Sequence, residues 1–338
     1  MGADHSTAPF TDLADLASAR VGGRAIATND DFFASKANLV KAEPPIFIPG
    51  KFTARGKWMD GWESRRRRTP GHDWCVVALG MRGIIRGINV DTTHFTGNHP
   101  SHGSLDALDV TTTPGRRVCE AEGSPWTRIV GRSALRGNSE NLLPAADARP
   151  WTHVRLNIFP DGGVARLRVY GEVVVDWSRA AANGRPADLA AIVNGGVVLG
   201  ASNMHFGARD NLIMPGRARN MGDGWETRRR RGPGFDWAIV RLGAAGVLQR
   251  VEIDTNHFKG NYPESASLEG CLAPGAGLEA ARSASWQEIL PRTKLAPHRR
   301  HFFTTELASV GPVSHVRLNI FPDGGVSRLR VYGTVAGA

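Results

Sequence analysis

The chain is written twice, and no other feature limits its fold so strongly. The run at 153–164, His-Val-Arg-Leu-Asn-Ile-Phe-Pro-Asp-Gly-Gly-Val, returns unchanged at 315–326, and each copy leads into Arg-Leu-Arg-Val-Tyr-Gly. Upstream, Asp60-Gly61-Trp62-Glu63-Ser64 with four following arginines matches Asp223-Gly224-Trp225-Glu226-Thr227 with four of its own. Between these runs, Asp91-Thr92-Thr93-His94-Phe95-Thr96-Gly97-Asn98 matches Asp254-Thr255-Asn256-His257-Phe258-Lys259-Gly260-Asn261. The blocks keep their order and nearly their spacing, so two homologous domains follow. The expected division is a tail at 1–9, a first repeat at 10–176, a linker at 177–182 and a second repeat at 183–338. A chain of 338 residues is long enough for two sizeable cores.

Within each copy the pattern is that of strands. Val154, Leu156 and Ile158 alternate with Arg155 and Asn157, the period of a half-buried strand. Pro160-Asp161-Gly162-Gly163 reads as a turn, because Pro presets one dihedral and Gly permits positive φ. The segments 153–170 and 315–332 are therefore expected to be β-hairpins. The runs 76–79 and 84–90, like 238–242 and 247–253, are expected to be strand pairs around glycines. Short helices are expected at 12–20 and 188–193. Many short strands with Gly/Pro turns give an all-β chain: a tandem repeat of two jelly-roll β-sandwiches.

The polar blocks carry the candidate chemistry. Glu63 and Glu226, with Asp91, His94, Asp254 and His257, are candidate acids and bases, since a carboxylate beside an imidazole can move a proton in both directions. On an extended backbone Arg65 and Arg67 share one face, as do Arg228 and Arg230. Their planar forks suit a carboxylate. Asp60, Asn98, Asp223 and Asn261 complete the candidate binding set. A buried Arg–carboxylate network would read the same way. The metal-ligand set is unknown. His94, His99 and His102 lie close in sequence, but only His257 has a place in the second copy. No motif demands a cofactor, and a loosely bound divalent metal ion at a carboxylate–His site is the most these residues suggest.

These blocks, quoted above in both copies, resemble the allantoicase family, the allantoate amidinohydrolases. The resemblance covers nearly the whole chain, from about residue 10 to 333. It implies a tandem jelly roll similar to galactose-binding-like modules, and hydrolysis of allantoate to ureidoglycolate and urea in purine catabolism. It does not bring a settled catalytic set. The alternative is a non-catalytic jelly-roll module that holds an acidic saccharide or another small anion.

The net charge of +10 favours collecting an anion. It does not imply nucleic acid: the arginine runs sit among acidic and aromatic residues, and no nucleic-acid motif is present. No membrane partner is expected either, because no window has about 18 consecutive apolar residues. The start of the chain lacks the pattern of a secretory signal. Cys75, Cys119 and Cys271 are odd in number and lack metal-type spacing. The expected setting is cytoplasmic, with free thiols, and the expected assembly is a homo-oligomer acting on small-molecule allantoate.

Overall fold

The structure is a computed structural model that describes residues 10–110, 123–178 and 184–336. The expected tail at 1–9, Cys119 and residues 179–182 of the expected linker lie outside the described residues. The chain divides into two compact units, Met1–Val174 and Val175–Ala338.

In the first unit the main strands are β1 (Arg24–Thr28), β2 (Asp73–Asp91), β3 (His102–Leu108), β4 (Thr127–Ala134), β5 (Glu140–Pro144), β6 (Pro150–Phe159) and β7 (Arg166–Val173). β2 is a 19-residue strand that serves two layers. Its first half pairs with β1 and β6, and β6 continues through β3 to β4. Its second half pairs with β7 and β5, and Ala14–Asp15 extends β7 at the edge. All pairings are antiparallel. Val154, Leu156 and Ile158 of β6, Leu167 and Val169 of β7, and Ile85, Ile88 and Val90 of β2 are completely buried. Each such side chain contributes roughly 1.5–3 kcal/mol relative to exposure.

The second unit repeats this plan with β8 (Val197–Ala201), β9 (Asp236–Asp254), β10 (Ser265–Cys271), β11 (Gln287–Lys294), β12 (Arg300–Phe303), β13 (Val313–Phe321) and β14 (Arg328–Val335). β9, again 19 residues, pairs with β8, β13, β14 and β12. Cys75 and Cys271 are buried free thiols.

Three local expectations are corrected. β6 and β7 do not pair with each other; each pairs with β2, on different halves of it. The Pro-Asp-Gly-Gly turn is thus an arch from one layer to the other rather than a hairpin turn, and 315–332 behaves alike. Alternation gives a strand its faces but not its neighbour. The runs 76–79 and 84–90 are one strand, because the glycines between them admit close backbone approach instead of reversing the chain: a Cβ on Gly80 would lie 2.4 Å from Val21 O. Residues 238–242 and 247–253 likewise belong to β9. In place of helices at 12–20 and 188–193 stand a two-residue strand and a single 3-10 turn, Ala19–Val21 and Ile192–Asn194.

The arch is where the repeated blocks meet. Trp62–Glu63 pairs with Gly163–Val164. The Gly163 N–H donates to Asn98 O at 2.7 Å, and a Cβ on Gly163 would stand 1.9 Å from the buried Phe95 ring. Trp62 is fully buried, and its indole N–H donates to Asp30 O at 2.8 Å. In the second unit Gly325 holds the same place against Phe258, with a would-be Cβ at 2.0 Å.

The units differ in the length of the approach to the first block. The stretch from Val40 to Asp60 is ten residues longer than its counterpart from Ile213 to Asp223. The extra length includes a small hairpin, Phe52–Thr53 paired with Gly56–Lys57.

Gly163→Ala should lower unfolding free energy by about 1–3 kcal/mol, because the methyl must displace Phe95. Gly131→Ala, where a Cβ meets nothing within 4 Å, should stay within about 0.5 kcal/mol of the parent chain. Urea denaturation of the two variants measures both.

Candidate active site

Beside that extra hairpin lies a pocket of about 360 Å³, within the usual size for a small-molecule site. Lys57, Met59 and Glu63 line it from the first block and its approach, His94 and Asn98 from the second, and Phe33 from the loop before them. Sequence blocks thirty residues apart are brought together by the pairing of Trp62–Glu63 with the arch.

Asn98 Nδ2 donates to Glu63 Oε1 at 2.7 Å. Burial pushes the Glu63 carboxyl above the usual carboxylate range, and the Asn98 hydrogen bond and the Lys57 charge only partly oppose it. Glu63 therefore holds its proton to higher pH than a free glutamate. The ionised form costs stability in the fold, a cost that appears as pH rises through the unfolded and then the folded pKa.

His94 adopts φ +71°, the left-handed region, which few non-glycine residues occupy. Its backbone N–H donates to Asn138 Oδ1 at 2.9 Å. Its Nε2 lies 3.2 Å from Pro45 O. Since a carbonyl only accepts, this contact assigns the proton of the neutral ring to Nε2 and leaves Nδ1 as the acceptor. The Phe47 ring lies 5.8 Å from the imidazole, and Lys57 Nζ lies 4.6 Å from the Phe47 ring centre.

The second unit keeps the same local bonds. Asn261 Nδ2 donates to Glu226 Oε1 at 2.6 Å, and His257 has φ +71° with Nε2 3.0 Å from Ala218 O. It lacks the hairpin. Three residues before the Asp of the block stands Asn220, where the first unit has Lys57. Met221 Sδ lies 3.3 Å from Asn261 Nδ2.

Other candidate residues stand elsewhere. Arg65 and Arg67 follow a two-residue strand and are not themselves in one. Arg65 pairs with Asp30 at 2.6 Å and Arg67 with Asp73 at 2.7 Å. Arg228 lies on the surface near His205, and Arg230 pairs with the buried Asp236. None of the four lines this pocket. Asp60 accepts from Arg166 at 2.6 Å, Lys41 at 3.0 Å and the Ile46 N–H at 3.1 Å. Burial raises its carboxyl, but these partners together outweigh burial and hold it below the usual range. Asp223 pairs with Arg328 in the same way. Asp91 Oδ1 caps the Thr93 N–H at 2.8 Å, and Asp254 Oδ1 caps that of Asn256 at 2.9 Å. Neither Asp joins the Glu–His–Asn cluster. Among the described residues no group of three or more His, Cys, Asp and Glu could hold a metal ion.

Sequence reasoning missed Lys57, which carries no motif and sits only in the inserted stretch. It also missed Arg166 and Arg328. Their signal was present, since Arg-Leu-Arg occurs in both copies, but a buried arginine looks like any strand cation in sequence. Arg166 is 1% exposed and donates to Glu43 O, Asp60 O, Ala165 O and Asp60 Oδ2.

Fold and pocket together define a duplicated jelly-roll protein with a small, partly polar pocket in its first repeat. A family model described as the allantoicase repeat matches residues 14–174 and 187–336. The chain belongs to the allantoicase family. It is 51% identical over 324 residues to a probable allantoicase of Burkholderia mallei, covering 95% of this chain and 94% of that one. It is 50% identical over 341 residues to a probable allantoicase of Pseudomonas aeruginosa, covering 98% of each. The crystal structure of allantoicase from Saccharomyces cerevisiae matches with a TM-score of 0.80 at 35% identity, covering 95% of this chain and 93% of that one.

Two measurements check this geometry. NMR titration should find the Glu63 pKa raised further in Asn98→Ala, which removes a bond to the ionised carboxylate. Asp60→Ala should cost about 3–5 kcal/mol in chemical denaturation, because Arg166 is left buried without its counter-charge.

Proposed function

We propose that this chain is an allantoate amidinohydrolase, releasing urea and ureidoglycolate from allantoate, and that the first repeat holds the reaction site. The observation that carries the site assignment is the convergence of Glu63, His94 and Asn98 on one pocket whose only lysine or arginine is Lys57. Membership of the allantoicase family supports the reaction.

Allantoate has a central carbon bearing a carboxylate and two ureido groups. In this reading Lys57 attracts the carboxylate, taking the role the sequence suggested for Arg65 and Arg67. Phe33 and Met59 exclude water around the central carbon. Glu63, whose carboxyl burial pushes above the usual range, gives its proton to the nitrogen of the departing ureido group as the carbon–nitrogen bond breaks. His94 Nδ1 takes a proton from the water whose oxygen bonds to the same carbon. The products are urea and ureidoglycolate, and a proton passing from imidazole to carboxylate through solvent resets the pair. Asn98 orients the Glu63 carboxyl. The alternative, a binding module without turnover, gives the Glu63 carboxyl and the His94 imidazole that line one pocket no proton to move.

The described residues do not gather a ligand set for a tightly held metal. Glu63 and His94 offer two ligands, fewer than the three protein ligands of catalytic zinc, so an ion there would be loosely held and no step is assigned to it. We also place the enzyme in the cytoplasm as a homo-oligomer. Buried free Cys75 and Cys271 accord with a reducing compartment. No helix among the described residues is long and apolar enough to cross a membrane. The exposed Ile46, Phe47, Ile48 and Phe52 beside the hairpin accord with self-association.

Steady-state assay should show urea released from allantoate. Glu63→Gln and His94→Asn should each cut turnover on the order of 10²–10⁴-fold with unchanged melting temperature. Lys57→Ala should raise KM more than it lowers kcat, because it removes binding energy spent on the carboxylate. A folded chain that yields no urea with divalent ions supplied would end the proposal.

A further inference from the structure

The second repeat has a pocket of its own, which Glu226, His257 and Asn261 do not line. It measures about 370 Å³ and is lined by four arginines and three carboxylates, together with Tyr332. Arg300 and Glu252 satisfy each other bidentately, Nε to Oε1 at 2.6 Å and Nη2 to Oε2 at 2.9 Å. The remaining polar groups are less complete. Asp254 is 1% exposed, yet its Oδ2 has no hydrogen-bond partner, and Arg217 Nε faces that oxygen at 3.7 Å, an ion pair without a hydrogen bond. Arg330 is 8% exposed, and its Nη1 also lacks a partner. Buried groups of this kind are usually satisfied in a finished site.

The first repeat does not have the matching cations. Glu140 pairs with Asp91 where Arg300 pairs with Asp254. Counting back from the carbonyls that receive His94 and His257, Pro44 stands where the second repeat has Arg217. The two copies thus differ in opposite senses. One has a hairpin with a lysine beside the Glu–His cluster. The other has two arginines around a carboxylate.

We infer that this second pocket is a separate binding site for a small ureido acid, a molecule with one carboxylate and neutral N–H donors. The ligand class deepens the reaction proposed above, since allantoate and ureidoglycolate are both ureido acids. The placement rests on this pocket alone. Arg217, with a side chain 57% exposed, turns to the ligand carboxylate. That movement opens Asp254 Oδ2 to a ureido N–H, and Arg330 Nη1 takes a ligand oxygen. A carboxylate with an ammonium group fits less well, because the four arginines outnumber the three acids and repel a cation. No histidine lines the pocket, so it has no acid–base pair like that of Glu63 and His94.

The test is isothermal titration of the full chain with N-carbamoylglycine, which has the carboxylate and one ureido group but no second urea to lose. Two binding events per chain are expected in the parent. Arg217→Ala should weaken one of them about tenfold or more, the loss of one charge-assisted contact. Asp254→Asn should weaken the same event. Lys57→Ala should affect the other event only, so a failure of the first-repeat assignment shows as an inert Lys57 while the Arg217 result still reads the second site. Acetate and glycine should bind the second site more weakly than N-carbamoylglycine. An Arg217→Ala isotherm that overlays the parent's would overturn the inference. Arg217 is at the surface, so that result does not depend on whether Asp254→Asn folds. Equal binding of glycine or acetate would overturn the ligand class.

Discussion

In each repeat a phenylalanine ring rests on a glycine, and the functional geometry hangs from that contact. Phe95 fills the space a side chain at Gly163 would need, and Phe258 does so over Gly325. The contact brings the arch against the loop of the second block, where Gly163 N–H meets Asn98 O. The backbone of Glu63 pairs with the same glycine. Glu63 and Asn98 are therefore within hydrogen-bond reach because one residue has no Cβ. Buried ion pairs then fix the surroundings: Asp60 with Arg166 ties the first block to β7, as Asp223 with Arg328 ties the second to β14. Such pairs add little net stability but cost much when halved, so they act mainly on which arrangement is adopted.

Much of the fold was legible in the sequence because repetition and alternation are both arithmetic. Val154, Leu156, Ile158, Leu167 and Val169 are buried as the alternation indicates, but Asn157 and Arg166 on the opposite face are buried too. The pairing partners were not legible. A turn rich in Pro and Gly looks the same whether it joins neighbours in one layer or crosses between layers, and only tertiary packing decides. The glycines at 80 and 83 misled for a similar reason, since glycine marks close approach as readily as reversal. At the site, the Glu–His–Asn convergence followed from blocks present in both copies. Arg65 and Arg67 turned to Asp30 and Asp73, partners outside the motif that spacing could not reveal. Lys57 was invisible because it belongs to the part of the chain that is not repeated.

Duplication explains why the motifs alone could not tell the copies apart. Glu226, His257 and Asn261 hold the bonds that Glu63, His94 and Asn98 hold, even to the left-handed histidine. These bonds recur wherever the repeat's arch and second block meet. What separates the copies lies around them: a longer approach to the first block in one, and extra arginines near the end of the long strand in the other. Both copies thus hold the same Glu, His and Asn, and the residues around them, Lys57 in one and Arg217 with Arg300 in the other, are what set the two surroundings apart.

The long strand has a consequence for how the molecule comes apart. β2 contributes its first half to one layer and its second half to the other. Neither layer can lose its pairing without loosening the strand that also supports its partner, so the layers should open as one cooperative unit. In amide exchange, protection along β2 would then be nearly level from end to end, rather than high in one layer and low in the other. Among the described residues no strand is shared between Met1–Val174 and Val175–Ala338. Within each unit, the cooperative piece is therefore the whole sandwich rather than either of its layers.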